Sequence, residues 1–344
     1  VFFASPAQDA DRIAAELGER IPAVPLIGCT TAGEFTDRRT ATGGVSAAVL
    51  PAGLVRRAAS ALADHSASVE EGLAAAVARM EGQLGMALRE ADPRRYVGLV
   101  LIDGTHATEE RVNELLGNAA PLLSFVGGSA GDDLAFVSTR VFCGSSGTDN
   151  GAALAILEVA APFTVFKKCS FEPTGRRFTI TAADPLQRVV WEFDGRPAAE
   201  MYAEAVGYPV EEIQDRGFMS HPVGLVIDGK PWIRSPQRVI DGRGIMFYCQ
   251  ILPGMEVELM RSTDLIGDTR AALRAAVAEV GGTASGALMF NCILRRLELD
   301  ARGLNEAFVG AIADIPTAGF HTYGESWLGH INQTLTGIMF GHST

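Results

Sequence analysis

The chain alternates two rhythms of hydrophobic and polar positions. Stretches with apolar residues three and four apart predict amphipathic helices, and short continuous apolar runs bounded by glycine, proline or acid predict strands. Ser5-Pro6 predicts a helix to Arg20, with the serine as N-cap and the proline in the first helical position. Ser68-Val69-Glu70-Glu71 reads as a capping box that opens an alanine-rich helix to Leu88. Further helices are expected from Thr108, Pro197, Asp264 and Leu304. Between them lie the strand-like runs VPLIG, SAAVL, YVGLVLI, LLSFVGG, GAALAILEV, FTVFK and RFTIT, then PVGLVI, GIMFYCQI, MEVELM, GALMFNC and TLTGIMFG. Helix and strand alternate, then strands follow one another as hairpins, then the alternation returns. This order predicts a mixed α/β (α+β) fold with mixed sheets flanked by helices.

One pattern is written twice. PLIGCTTAGEF (25–35) and PTAGFHTYGES (316–326) share Pro25/Pro316, Gly28/Gly319, Thr31/Thr322, Gly33/Gly324 and Glu34/Glu325. Each follows an amphipathic helix, so two related modules and an internal duplication are expected. A third, looser version, FVGGSAGDD (125–133), also ends a strand in glycines and acids.

Composition narrows the function classes. With 344 residues, more than one core is expected, and 47% hydrophobic with 20% charged residues suits a folded globular chain. A net charge of −12 argues against nucleic acid and anionic membrane surfaces as partners. No apolar run approaches the ~20 residues of a membrane span. Cys29, Cys143, Cys169, Cys249 and Cys292 are an odd number without a CxxC pair, which points to reduced thiols and a cytoplasmic location. The opening inside a strand-like run suggests a trimmed N-terminus, and Asn332-Gln333-Thr334 is a glycosylation sequon with no use in a cytoplasmic chain.

The repeated loops carry the candidate chemistry, because loops at strand ends commonly hold ligands. Two readings of Glu34 and Glu325 stand. Either each carboxylate holds its own turn, or both face one cavity, with Thr30, Thr31 and Thr322 as hydrogen-bonding partners. A shared cavity would suit an ammonium or a polar ligand. Ser129 and Asp132 belong to the looser copy. Asn291, Cys292, Arg295 and Arg296 form a second polar cluster, in which an arginine clamps a ligand carboxylate or pairs at the surface with Glu298 or Asp300. Cys29 and Cys292 raise the alternative of a cysteine-dependent hydrolase or transferase, although no general base marks either one. The late copy adds Tyr323, His321, His330, Asn332 and Thr334. No HExxH, P-loop or dinucleotide fingerprint occurs, but an axial haem ligand needs no sequence spacing.

Together LIGCTTAGEF, FVGGSAGDD, HPVGLVIDGKPWIRSPQRV, LMFNCILRR and GFHTYGESWLGHINQTLT resemble the FIST family of bacterial sensory domains across nearly the whole chain. The resemblance implies a FIST N-terminal module over residues 1–194 and a C-terminal module over 195–341. It implies a non-enzymatic signal-transduction protein that binds a small ligand between its modules. One group in the family suggests haem b, nitric oxide sensing and output to a histidine kinase, with His321 or His330 as axial ligand. The alternative is an amino-acid-like ligand without haem. Another signalling partner and a homodimer are left open.

Overall fold

The computed structural model describes residues 1–342. In chain order it begins with strand β1 (Phe2–Ala4), helix α1 (Ala10–Arg20) and strands β2 (Ile27–Thr30), β3 (Glu34–Thr36), β4 (Thr40–Ala41), β5 (Val45–Ala47) and β6 (Val55–Asp64). Helix α2 (Val69–Leu84), β7 (Tyr96–Ile102), α3 (Glu109–Ala119), β8 (Phe125–Ser129), β9 (Val141–Cys143), β10 (Ser146–Thr148), β11 (Gly151–Val159) and β12 (Phe163–Cys169) follow. A hairpin-rich middle holds β13 (Phe171–Asp184), β14 (Val189–Phe193), β15 (Arg196–Pro197), α4 (Ala198–Val206) and α5 (Ile213–Arg216). It continues through β16 (Val223–Ile227), β17 (Lys230–Arg234), β18 (Pro236–Ile240), β19 (Gly244–Phe247) and β20 (Glu256–Ser262). The last part is α6 (Leu265–Glu279), β21 (Gly286–Cys292), α7 (Ile293–Arg302), α8 (Asn305–Ile312), β22 (Thr317–Thr322), β23 (Glu325–Trp327), β24 (His330–Ile331) and β25 (Thr334–Phe340). The architecture is mixed α/β.

Two of the helix starts show how the local chemistry works. Ser5 does not cap α1; its Oγ accepts from Ala7 N in a preceding turn, and Asp9 takes over as N-cap by accepting from Arg12 N at 3.0 Å. Ser68 caps α2 as its pattern predicts, accepting from Glu71 N at 3.1 Å. That helix stops at Leu84, short of Leu88, because Gly85 turns left-handed at φ 68°.

The chain forms two compact units. The first comprises Val1–Lys167, Thr269–His330 and Leu335–Thr344; the second comprises Lys168–Asp268 and Ile331–Thr334. The sequence division at Asp194 and these units are different partitions of the chain. In the second unit, β13 to β20 form one sheet in the order β17-β16-β20-β13-β14-β19-β18, with β15 beside β14. Phe178, Phe193, Tyr202, Phe247 and Val257 pack between that sheet and its helices.

The first unit contains the repeat, in three copies. In each copy a strand leads through helix to a parallel neighbour: β1 to β2 (Phe2↔Gly28), β7 to β8 (Gly98↔Phe125) and β21 to β22 (Ala287↔Thr317). After its second strand, each copy turns through a glycine-and-acid loop and passes a hairpin to another copy. β3 pairs antiparallel with β22, β23 with β8, and β9 with β2. The three sheets accordingly share one order: β10-β9-β2-β1-β5, β24-β23-β8-β7-β11-β6 and β4-β3-β22-β21-β25-β12. The exchange is cyclic, so the duplication read in the sequence extends to a threefold pseudo-repeat. Inner faces of all three sheets meet in one core containing Phe3, Leu99, Val126, Phe290, Phe320 and Ile338. Phe3 lies 4.7 Å from Phe320 by ring centroids, and Phe320 lies 5.8 Å from Phe290. Helices α2 and α3 cover the opposite face of the middle sheet.

Candidate functional site

The threefold exchange brings the three glycine-and-acid loops together at the C-terminal ends of the parallel strands. Gly131 N donates to Thr30 O at 3.0 Å, Ala32 N to His321 O at 3.1 Å, His321 N to Gly33 O at 2.8 Å and Ser129 N to Gly324 O at 2.8 Å. Every pair of loops is thus joined by backbone bonds. The carboxylates serve the same hub. Thr31 Oγ1 donates to Glu34 Oε1, whose other oxygen accepts from Gly44 N at 3.1 Å. Thr322 Oγ1 donates to Glu325 Oε1 at 2.6 Å in the equivalent bond of the late copy. The shared T-x-G-E motif is therefore one repeated hydrogen bond that closes a turn. Thr30 Oγ1 accepts from Arg140 N, and Ser129 Oγ donates to Glu109. Both glutamates are buried, Glu34 at 4% and Glu325 at 0% exposure. Burial pushes the Glu34 carboxyl above its usual range.

Asp132 marks where the looser copy diverges. Its two oxygens accept from Tyr323 OH and from the amides of Phe136, Val137 and Ser138 at 2.7–3.0 Å. Burial alone would raise its pKa, but these bonds outweigh that and hold it below the usual carboxylate range. Tyr323 OH in turn accepts from Leu134 N at 2.7 Å, and its ring stacks on Phe136 at 4.5 Å. The pair holds the 132–138 loop in place.

His321, Asn291 and Arg295 form a buried chain across β21, β22 and α7. Arg295 Nε donates to Asn291 Oδ1 at 2.8 Å, and its Nη2 donates to Thr269 Oγ1 at 2.8 Å. This fixes the asparagine amide, so Asn291 Nδ2 donates to His321 Nδ1 at 3.0 Å. His321 then carries its proton on Nε2 and donates to Thr40 Oγ1 at 3.1 Å. Burial, with Arg296 and Arg295 nearby, lowers its pKa to about 3. Arg296, rather than Arg295, reaches the loops: its Nη1 donates to Ala32 O at 2.7 Å and pairs with Asp133 at 3.2 Å, while its Nε pairs with Asp300 at 3.3 Å.

His330 is buried against the Gly324 backbone. A Cβ built on Gly324 would meet its Cε1 at 2.0 Å and its Nε2 at 2.7 Å. In the second unit, Thr334 Oγ1 donates to Asn332 O at 2.7 Å. Asn332 is 1% exposed, and among the described residues neither amide atom of its side chain has a hydrogen-bond partner. Its neighbour Gln333, the middle residue of the sequon, accepts from Ser235 Oγ at 2.7 Å and donates to Met219 O at 2.8 Å.

Cys29 and Cys292 are fully buried, and burial together with the Glu34 charge pushes the Cys29 thiol well above its ordinary value. Neither has the exposed, electropositive setting of a thiolate nucleophile. Mass-spectrometric mapping of alkylation near neutral pH is expected to find Cys143, the partly exposed thiol, modified first. Cys29 and Cys292 are expected to react only as fast as the protein opens; rapid labelling of either would restore the enzyme reading. Among the described residues, no group of three or more His, Cys, Asp or Glu is placed to hold a metal ion. No described helix is long and apolar enough to cross a membrane.

The large cavity lies elsewhere in the first unit, at the strand ends opposite the hub. It is a recess open to solvent, with a volume of about 710 Å³, lined by Thr36–Arg38, the 47–54 turn, Ser285–Ala287, Pro316–Ala318 and Phe340–His342. No residue of the paired glycine–glutamate loops borders it. A much smaller recess of about 30 Å³ touches Glu34 but not Glu325.

The FIST N domain matches residues 1–196 and the FIST C domain matches residues 198–327. The chain belongs to the FIST family. Among curated proteins none matches it. FIST domains are sensory domains of signal transduction that bind small ligands. In this FIST chain the cavity draws walls from both matched segments, residues 36–54 from FIST N and 285–318 from FIST C, within one compact unit.

Proposed function

We propose that this FIST protein is a signalling sensor whose small ligand occupies the 710 Å³ cavity, with output to a separate signalling protein such as a histidine kinase. The observation that carries the proposal is the place of the cavity. It is large enough for a small-molecule ligand and is walled by both family segments, whereas the hub is a closed network. A ligand there would contact the hairpin turn after β3 and the N-terminal ends of β21 and β22, and so could bias elements drawn from distant parts of the chain.

The haem reading rests on His321 and His330. His321 has both ring nitrogens committed, one accepting from Asn291 and one donating to Thr40. An iron bond at Nε2 would require the other tautomer, which puts an N–H against the Asn291 amino group. His330 packs its ring edge close against Gly324. The histidine bordering the cavity is His342.

Filling the cavity tests the proposal. Gly53 lines it, and a Cβ there meets nothing within 4 Å. Gly53→Phe is expected to change folding stability by no more than about 0.5 kcal/mol and to abolish binding of phenylnaphthylamine, a neutral fluorescent apolar probe. Probe binding that is absent in the wild type, or unaffected by Gly53→Phe, would remove the cavity as the ligand site.

A further inference from the structure

We infer that the cavity selects a ligand with an apolar body and a single terminal anionic group, a medium-chain or aromatic carboxylate, which Arg38 receives at the mouth. The inference rests on the cavity being the ligand site and goes on to assign the chemistry of what enters it.

The walls supply the first half of the argument. Ala47, Leu50, Leu54, Ala287, Ala318 and Phe340 present hydrocarbon. Three hydroxyls line the cavity, Thr36, Ser285 and Thr317, and each is bonded to backbone; Thr36 Oγ1 accepts from Arg38 N at 3.2 Å. Ser285 Oγ donates to Gly341 O at 2.6 Å, and Thr317 Oγ1 donates to Ile315 O at 2.7 Å. A polar ligand body would lose its water without gaining partners there. A zwitterionic amino acid is disfavoured for the same reason, since the charged side chains of the lining lie in the turn between β3 and β4, not inside.

The turn supplies the second half. It reads Asp37-Arg38-Arg39, so it carries one more positive than negative charge in a chain whose net charge is −12. Arg38 lines the cavity, its side chain is 89% exposed, and its ionic contact is with Asp37 at 3.9 Å, too long for a hydrogen bond. A guanidinium held this loosely is free to turn its planar fork onto a carboxylate in the mouth. Asp37 and the exposed imidazole of His342 are the other ionisable groups in the lining. Asp37 already stands beside Arg38, which favours one entering carboxylate over a doubly charged group such as a phosphate monoester.

Displacement of phenylnaphthylamine from the full chain by decanoate, decanol and decylamine tests this, with direct calorimetry of decanoate alongside. Decanoate is expected to bind most tightly. Arg38→Ala should weaken it about three- to fivefold, the scale of an exposed ion pair, and leave decanol unchanged. High salt should narrow the gap between acid and alcohol. Equal displacement by acid and alcohol, a preference for the amine, or a parallel loss of both acid and alcohol in Arg38→Ala would each overturn the carboxylate assignment. If the probe binds the wild type and is lost in Gly53→Phe, those results leave the cavity standing as the site. If decanoate releases no heat and displaces no probe, the ligand class is wrong.

Discussion

Gly131→Ala is expected to cost about 3 kcal/mol of folding stability, the upper range for an over-packed site that cannot relax by rotating a side chain. A Cβ at Gly131 would lie 2.6 Å from Ala32 N, 2.8 Å from Ala32 Cβ and 2.9 Å from Thr31 C. Two of these three atoms are backbone, so only a separation of the loops relieves the clash. That separation would strain the Gly131–Thr30 bond and the neighbouring Ala32–His321 bond. Gly117 provides the contrast. It lies in α3 with nothing within 4 Å of its Cβ, so Gly117→Ala should stabilise by about 0.5–1 kcal/mol through helix propensity alone. Urea unfolding of the two variants beside the wild type decides the matter. If Gly131→Ala unfolds at the wild-type midpoint, the three loops are not a tightly packed hub, and a ligand site among them becomes reasonable again.

The reasons why the hub was half legible are physical. Strands β7, β11 and β21 are buried along nearly their whole length, so their sequences are unbroken apolar runs that announce themselves. Strand β6 is hard to read because its buried positions Ala59, Ala61 and Ala63 are all alanine, a residue with little strand propensity. Helix α7 was missed because Cys292 precedes it without any side-chain cap bond. The paired T-x-G-E loops were visible, since one threonine–glutamate bond is needed twice. The third loop was only glimpsed because Asp132 holds a longer insertion before β9 and has exchanged the threonine partner for Tyr323. The backbone of the three converging loops is joined pair by pair, an arrangement that no single loop sequence announces. The cavity had no signature at all: its walls come from five separated turns and strand ends, and its three hydroxyls bond backbone.

Acid should destabilise the wild type through His321 in a way that a His321→Gln variant does not share. The ring sits at 1% exposure with its Nδ1 facing the Asn291 amino group, and Arg295 prevents that amide from turning over. A second ring proton would therefore meet a donor in a buried site, with two guanidiniums nearby. In the folded protein the pKa is lowered from 6.5 to about 3, and in the unfolded chain it returns to its ordinary value. Between those values the unfolded state binds the extra proton and the folded state does not, so stability rises with pH across the window. The protein keeps its full stability with respect to this group above pH ~6.5 and loses about 4 kcal/mol as the pH falls to ~3, below which the loss levels off. His65 and His221, also lowered by burial, add slopes of the same sign, so the difference between wild type and variant isolates His321. Glutamine can accept from Asn291 and donate to Thr40 without titrating. The variant should start less stable at neutral pH by about 1–2 kcal/mol, and its stability should fall less steeply on acidification until the two curves cross. Parallel curves from pH 7 to pH 4 would show that His321 takes up its proton in the folded state, and would reopen the ring as a group able to meet a ligand.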